Sequence, residues 1–83
     1  MVNIKLLVMK EKDLLKIINQ LLEDNGEDLL SSLDPNLNLR DDIGLDSLSL
    51  AHLTILIESE FGVDIYKDGV IKTIQEVYDK VNR

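Results

Sequence analysis

The sequence predicts an all-α fold, a small bundle of three main helices plus one short helix. Apolar residues recur every three or four positions in separate stretches, which is the period of an amphipathic helix. Residues that start or stop helices bound these stretches. No stretch alternates apolar and polar residues in the way that is typical of a half-buried strand. With 83 residues, the chain has room for one such domain.

The first helix is predicted between Glu11 and Asp24, and Asn25-Gly26 supplies its C-terminal stop. Its apolar residues, at helical spacing, are Leu14, Leu15, Ile17, Ile18, Leu21 and Leu22. The apolar residues of 1–9 fit a helix extension and an extended arm equally well. We therefore assign residues 1–9 to an N-terminal extension, for which both structures remain alternatives. Residues 10–83 are assigned to a single domain.

A long connection without a clean period runs from Gly26 to Asp46. Connections of this length are uncommon in small domains and are often functional. Apolar residues recur through it nevertheless, and we expect them to pin it onto the core: Leu30, Leu33, Leu37, Leu39 and Ile43.

The second helix is predicted to begin at Asp46-Ser47, with Asp46 as the N-cap, and to run to Phe61 before Gly62. Its apolar residues fall on two faces when they are placed at about 100° per residue. The predicted core face comprises Leu50, Leu53, Ile57 and Phe61. The second face, which we call the docking stripe, comprises Leu48, Ala51 and Ile55. One helix of so small a bundle can hardly bury both faces, so we expect the docking stripe to be partly exposed and to bind a partner. The alternative is that it packs under the long connection or the short helix.

The chain closes with a short helix around Tyr66 to Val70 and a last helix that starts at Thr73. Thr73 and Glu76 have the spacing of a capping box. The last helix is predicted to reach about Asn82 and to turn Ile74, Val77 and Val81 inward.

Composition narrows the functional classes. A net charge of -7 disfavours nucleic acid and acidic membranes as partners and favours basic protein surfaces. The absence of cysteine excludes disulfides, thiolate metal sites and a cysteine nucleophile, so any thiol chemistry must arrive on an attached or bound group. No apolar run has the length of a membrane span, and no secretory signal is evident. We therefore expect a cytoplasmic protein without a membrane span.

Ser47 is the main candidate for a functional residue. It lies in the first turn of the second helix, where backbone N–H groups lack helical partners and the helix dipole is positive, so a phosphate on its hydroxyl is favoured. Taken alone, Asp46-Ser47 more often marks only the start of a helix.

The wider string is more specific. Residues 41–48 read Asp-Asp-Ile-Gly-Leu-Asp-Ser-Leu, which resembles the acyl carrier proteins of fatty acid and polyketide synthesis, whose modification site reads Asp-Ser-Leu. The resemblance covers about residues 10–82, over which the predicted helices follow one another in the same order as in that family. It implies a non-enzymatic carrier domain in which Ser47, between Asp46 and Leu48, carries phosphopantetheine through a phosphodiester. The terminal thiol of that arm then holds an acyl group as a thioester.

The resemblance also implies partners. The arm would come from coenzyme A by a phosphopantetheinyl transferase, and loading and transfer enzymes with basic docking surfaces would meet the second helix. The docking residues implied are Leu48, Ala51, Ile55, Glu58 and Glu60. We expect a monomer that binds no metal.

Two departures from the family pattern bear on the pathway. Carriers of housekeeping fatty acid synthesis usually hold acids where this chain has Ser49 and His52, which favours a specialised pathway. Peptidyl carriers more often show Gly-Gly-His-Ser, which the residues before Ser47 do not match, so an aminoacyl or peptidyl carrier is the second reading. An unmodified acidic helical adaptor is the rival class.

Other chemistries fit the spacing poorly. A serine hydrolase needs a base beside Ser47, but the single histidine, His52, lies about 140° round the helix. A calcium loop from Asp34 would place Leu39 and Leu45 where glycine and glutamate are required. The adjacent acids Asp41 and Asp42 have no predicted cleft, and such pairs are usually solvated.

Overall fold

A computed structural model of the chain describes the backbone of residues 4–82 and the side chains of residues 10–82. Within these residues it contains three α-helices, α1 (Ile4–Asp24), α2 (Ser47–Phe61) and α3 (Ile74–Val81). Over the same range no strand forms, and the only strand-like pairing is an isolated bridge between Asn38 and Thr73. The predicted all-α class is confirmed. No helix of the described range is long and apolar enough to cross a membrane.

The chain divides into two units, Met1–Leu33 and Asp34–Arg83. In the first unit, α1 begins at Ile4 and is therefore longer than the predicted helix. The extended-arm alternative does not hold for residues 4–9, while residues 1–3 lie outside the described part. The buried residues of α1 are Leu14, Ile18, Leu21 and Leu22. Beyond the helix, the Asn19 amide donates to the Leu30 carbonyl at 2.9 Å and accepts from the Leu30 N–H at 2.8 Å. These two bonds fix the start of the long connection.

The second unit opens with the other half of that connection. Leu39, Ile43 and Leu45 are buried. The Leu39 N–H donates to the Lys72 carbonyl at 2.8 Å, and the Ile74 N–H donates to the Leu37 carbonyl at 3.0 Å. The connection is thus anchored to the segment before α3, as its recurring apolar residues predicted for Leu39 and Ile43.

Helix α2 has the predicted bounds. Gly62 ends it with a φ of 70°, a left-handed conformation that glycine adopts at no steric cost. Leu53 and Ile57 are fully buried, but Leu50 and Phe61 are only half-buried. The predicted core face is therefore fully buried only at Leu53 and Ile57. Ser49 is buried instead, with 6% of its surface exposed, and its N–H is satisfied by the Asp46 carboxylate.

The predicted short helix is absent from the described residues, which contain successive turns at 65–68. The Asp64 carboxylate accepts a hydrogen bond from the Tyr66 N–H at 3.0 Å, which favours a local turn over a helical start. Gly69 then takes a φ of 130°, outside the helical range. Buried Ile65 and Ile71 anchor the two ends of this segment.

Helix α3 follows the prediction closely. The Thr73 hydroxyl caps it by accepting from the Glu76 N–H at 3.3 Å. The buried residues of α3 are Ile74, Val77, Tyr78 and Val81, which include the three that were predicted to face inward.

Candidate functional site

Ser47 is the first residue of α2, and its side chain is exposed. The preceding residue, Asp46, has an extended backbone (φ -83°, ψ -179°). Its carboxylate accepts from the Ser49 N–H at 2.8 Å, and its carbonyl accepts from the Leu50 N–H at 2.8 Å. Asp46 is therefore the N-cap that the sequence predicts, and it fixes the turn from which the Ser47 hydroxyl projects.

The backbone before Ser47 is held by a buried residue. Leu45 is buried, and its N–H donates to the Leu39 carbonyl at 3.0 Å. Gly44 allows this approach with a φ of 90°, which a residue with a Cβ rarely adopts. The start of α2 is thus attached to the anchored connection.

Arg40 contacts the candidate serine, and the sequence motifs did not predict this contact. Its Nη2 donates a hydrogen bond to Ser47 Oγ at 2.8 Å. Among the described contacts this is the only hydrogen bond of the Ser47 hydroxyl. A signal was present in the sequence, because Arg40 is the only lysine or arginine between Lys16 and Lys67.

A tight turn holds Arg40 in place. The Asn38 side-chain oxygen accepts from the Arg40 N–H and from the Asp41 N–H, both at 2.9 Å. The Asp42 carboxylate accepts from the Asn38 N–H at 2.7 Å. Asp42 therefore stabilises a turn, and its carboxylate is engaged in structure.

The charge of Asp46 is favoured by its surroundings. The pKa of the Asp46 carboxyl is lowered most by a hydrogen bond from the Ser49 backbone N–H and next by one from the Ser49 side chain. The nearby positive charge of Arg40 lowers this pKa further. Asp46 is consequently ionised at neutral pH, the form that caps α2 most strongly.

The rejected chemistries gain no support from the geometry. His52 is exposed, and no hydrogen bond joins it to Ser47 among the described residues. In the part of the chain that the structure describes, no group of three His, Cys, Asp or Glu residues is arranged to hold a metal ion.

The docking stripe is exposed. Leu48 is 80% exposed and Ile55 65% exposed, and Ala51 is exposed as well. The two acids at the end of the helix, Glu58 and Glu60, are also exposed. The stripe is therefore not packed beneath the connection or the turns.

Arg40 also lines a cleft of about 290 Å³. Its lining includes Arg40, Leu50, Tyr66, Val70 and Lys72. On the helical wheel Leu50 lies about 300° from Ser47, whereas the docking stripe lies at about 40° to 100°. Burial raises the pKa of the Tyr66 phenol, which therefore stays neutral at physiological pH.

Comparison with known proteins identifies similar chains. The family model for a phosphopantetheine attachment site matches residues 12–81. An acyl carrier protein of Rickettsia bellii (strain OSU 85-389) is 36% identical over 72 residues, which cover 87% of this chain and 83% of the relative. An acyl carrier protein of Lactobacillus acidophilus is 34% identical over 74 residues, which cover 89% of this chain and 91% of the relative. An acyl carrier protein of Solidesulfovibrio magneticus is 38% identical over 66 residues, which cover 80% of this chain and 77% of the relative. No solved structure matches the chain significantly.

Proposed function

The chain belongs to the acyl carrier protein family, and from that premise we propose that Ser47 is the residue that bears its phosphopantetheine. Membership makes the chain a carrier with a covalently attached phosphopantetheine, and not an enzyme. It also implies interaction with a phosphopantetheinyl transferase and with acyl-transferring enzymes. The observation that carries the proposal is the exposed Ser47 hydroxyl between the Asp46 cap and exposed Leu48.

The residues around Ser47 suit a phosphodiester. Its hydroxyl is open to a partner enzyme, and the one donor bonded to it, Arg40, is a cation of the kind that recognises phosphate. The attached arm supplies a thiol for thioester formation, which this chain without cysteine lacks.

Attachment requires one substitution at phosphorus. Ser47 Oγ attacks the coenzyme A phosphorus that bears pantetheine, the new Oγ–P bond forms, and the P–O bond to adenosine 3′,5′-bisphosphate breaks. The Ser47 proton passes to a base on the transferase, because Ser47 has no base among its described contacts. The chain contributes the nucleophile and its rigid placement.

The docking stripe and its acids complete the proposal. Leu48, Ala51 and Ile55 offer an apolar surface beside Ser47, and Glu58 and Glu60 lie further along the same helix. An exposed apolar stripe on a helix that also carries exposed acids is suited to an enzyme with a basic rim round an apolar patch. Loading and transfer enzymes of that kind are the partners that we propose.

Mass spectrometry tests the attachment site. Incubation with coenzyme A, magnesium and a broad-specificity transferase should add about 340 Da, the mass of one phosphopantetheine. Ser47→Ala should add none, whereas Ser59→Ala, which changes an exposed serine on the same helix, should still be modified. Modification of Ser47→Ala at any other serine would overturn the assignment. A wild-type chain that gains no mass would overturn the assignment as well.

We further propose a specialised pathway. Ser49 is buried against the Asp46 cap, and His52 is exposed on the helix, so neither position offers an acid to a partner. Elongation assays with housekeeping fatty acid synthase enzymes should therefore show weak loading and turnover. Turnover equal to that of a housekeeping carrier would remove this part of the proposal, and preferential aminoacyl loading would favour the peptidyl carrier.

The remaining parts of the proposal concern the whole chain. We propose that residues 10–83 act as the carrier domain, with residues 1–9 as an extension, and that the protein works as a cytoplasmic monomer. Light scattering of the purified holo protein tests the monomer, and fractionation of cells tests the location.

A further inference from the structure

Arg40 is an isolated cation in an acidic part of the chain. Between Lys16 and Lys67 it is the only lysine or arginine, whereas eleven aspartates and glutamates lie in the same stretch. Among the described ion pairs, none involves its guanidinium. That guanidinium instead donates to Ser47 Oγ at 2.8 Å. The cation therefore lies at the atom to which a phosphate would be joined.

We infer that Arg40 is a positioning residue for the attached arm. It pairs with the phosphodiester on Ser47 and holds the base of the arm on the cleft side of α2, away from the docking stripe. This inference rests on the proposed attachment at Ser47. Esterification brings a singly charged phosphate to the oxygen that the guanidinium already contacts, and a guanidinium has several N–H donors in a planar fork that suits phosphate oxygens.

The fold places Arg40 for this role. Its backbone N–H is held by the Asn38 side chain at 2.9 Å, and the preceding residue, Leu39, is buried and bonded to the Lys72 carbonyl at 2.8 Å. The nearby carboxylates have other donors, since Asp42 accepts from Asn38 and Asp46 accepts from Ser49. The guanidinium is therefore available to a new anion.

The position of the cleft indicates on which side of α2 Arg40 would hold the base of the arm. Arg40 and Leu50 both line the cleft, while the docking stripe lies on a different side of α2. An arm held at its base by Arg40 leaves Leu48 and Ile55 clear, so that a partner enzyme can dock while the arm remains in place. Because the pair is exposed, we expect a preference for the contact of up to about fivefold, which an arriving enzyme can overcome.

Phosphorus NMR of the holo protein tests the inference. We compare the ³¹P signal of wild type with those of Arg40→Gln, Arg40→Lys and Lys72→Ala. Lys72 is a matched control, because it lines the same cleft but makes no described hydrogen bond to Ser47. We expect the wild-type signal to move with added salt toward the position of Arg40→Gln, as screening weakens the pair. Arg40→Gln itself should show at least twofold less salt dependence, Arg40→Lys should keep a smaller shift, and Lys72→Ala should match wild type.

The outcomes separate this inference from the proposed function. Failure of the wild-type chain to gain the arm at Ser47 overturns the proposed function. Normal gain of the arm with identical ³¹P shifts and salt dependence in wild type and Arg40→Gln overturns the role of Arg40 alone. Equal loss of salt dependence in Lys72→Ala also overturns it, because the effect would then reflect general charge. Circular dichroism of each variant verifies the fold, and Arg40→Ala replaces Arg40→Gln if the latter is not helical.

Discussion

Ile55 and Ile57 lie on the same helix, two residues apart, and the same change to alanine should have different consequences at the two positions. Ile57 is fully buried, whereas Ile55 is 65% exposed. The Ile57→Ala change should therefore affect folding, and the Ile55→Ala change should affect partner binding.

The expected magnitudes follow from burial. Truncation of a fully buried isoleucine to alanine costs about 2–5 kcal/mol, from lost transfer energy and the cavity left behind. A chain of 83 residues has a total free energy of unfolding of about 4–12 kcal/mol, so Ile57→Ala removes a large part of it. At Ile55 little buried area is lost, and the higher helix propensity of alanine offsets part of that loss. The net change there should stay within about 0.5 kcal/mol.

Urea unfolding followed by circular dichroism measures the difference. With a slope of about 1 kcal/mol per M, the midpoint should fall by about 2 M or more for Ile57→Ala and by less than about 0.5 M for Ile55→Ala. In a loading assay, holo Ile55→Ala should show a lower kcat/KM with its partner enzyme, and Ser59→Ala on the same helix should not. Equal midpoint shifts for the two isoleucine variants would refute the reasoning, because the docking stripe would then be core.

Three further outcomes are expected. Reversal of Glu58 and Glu60 to lysine should slow association with a basic partner several-fold in stopped-flow measurements, and the difference from wild type should vanish near 0.5 M salt, where the screening length is about 4 Å. The pKa of Asp46, followed by carboxyl ¹³C NMR, should lie below the ordinary value of 3.8. The stabilisation that its ionised cap contributes is therefore fully present above pH 3.8 and is lost only as the pH falls through the lower pKa of the folded state. A midpoint at or above 3.8 would contradict the observed cap. Thr73→Ala should lower the free energy of unfolding by about 1 kcal/mol in urea titrations, whereas Thr73→Ser should retain most of it, and equal losses would show that the hydroxyl does not cap α3.

Local chemistry in the sequence determined where α2 and α3 begin. Asp46 and Thr73 cap these helices by hydrogen bonds to residues only three positions away, and Gly62 ends α2 through its own backbone freedom. Such interactions involve only residues a few positions apart, so they can be predicted from a single sequence. The same holds for the Asp-Ser-Leu motif, whose contiguous residues are enough to indicate the family and the candidate serine.

Only the tertiary structure decided which faces are buried and which side chains meet. Ser49 is buried while Leu50 is half-buried, because burial depends on what packs against α2 and not on the polarity of each residue. The turns after Asp64 replaced a helix because local side-chain bonding and the Gly69 backbone outweighed a weak pattern. The Arg40–Ser47 contact crosses an irregular connection, whose path is fixed by buried leucines and backbone bonds to distant residues. The periodicity of the sequence does not predict such a path, so only the tertiary structure showed that Arg40 lies beside the candidate attachment site.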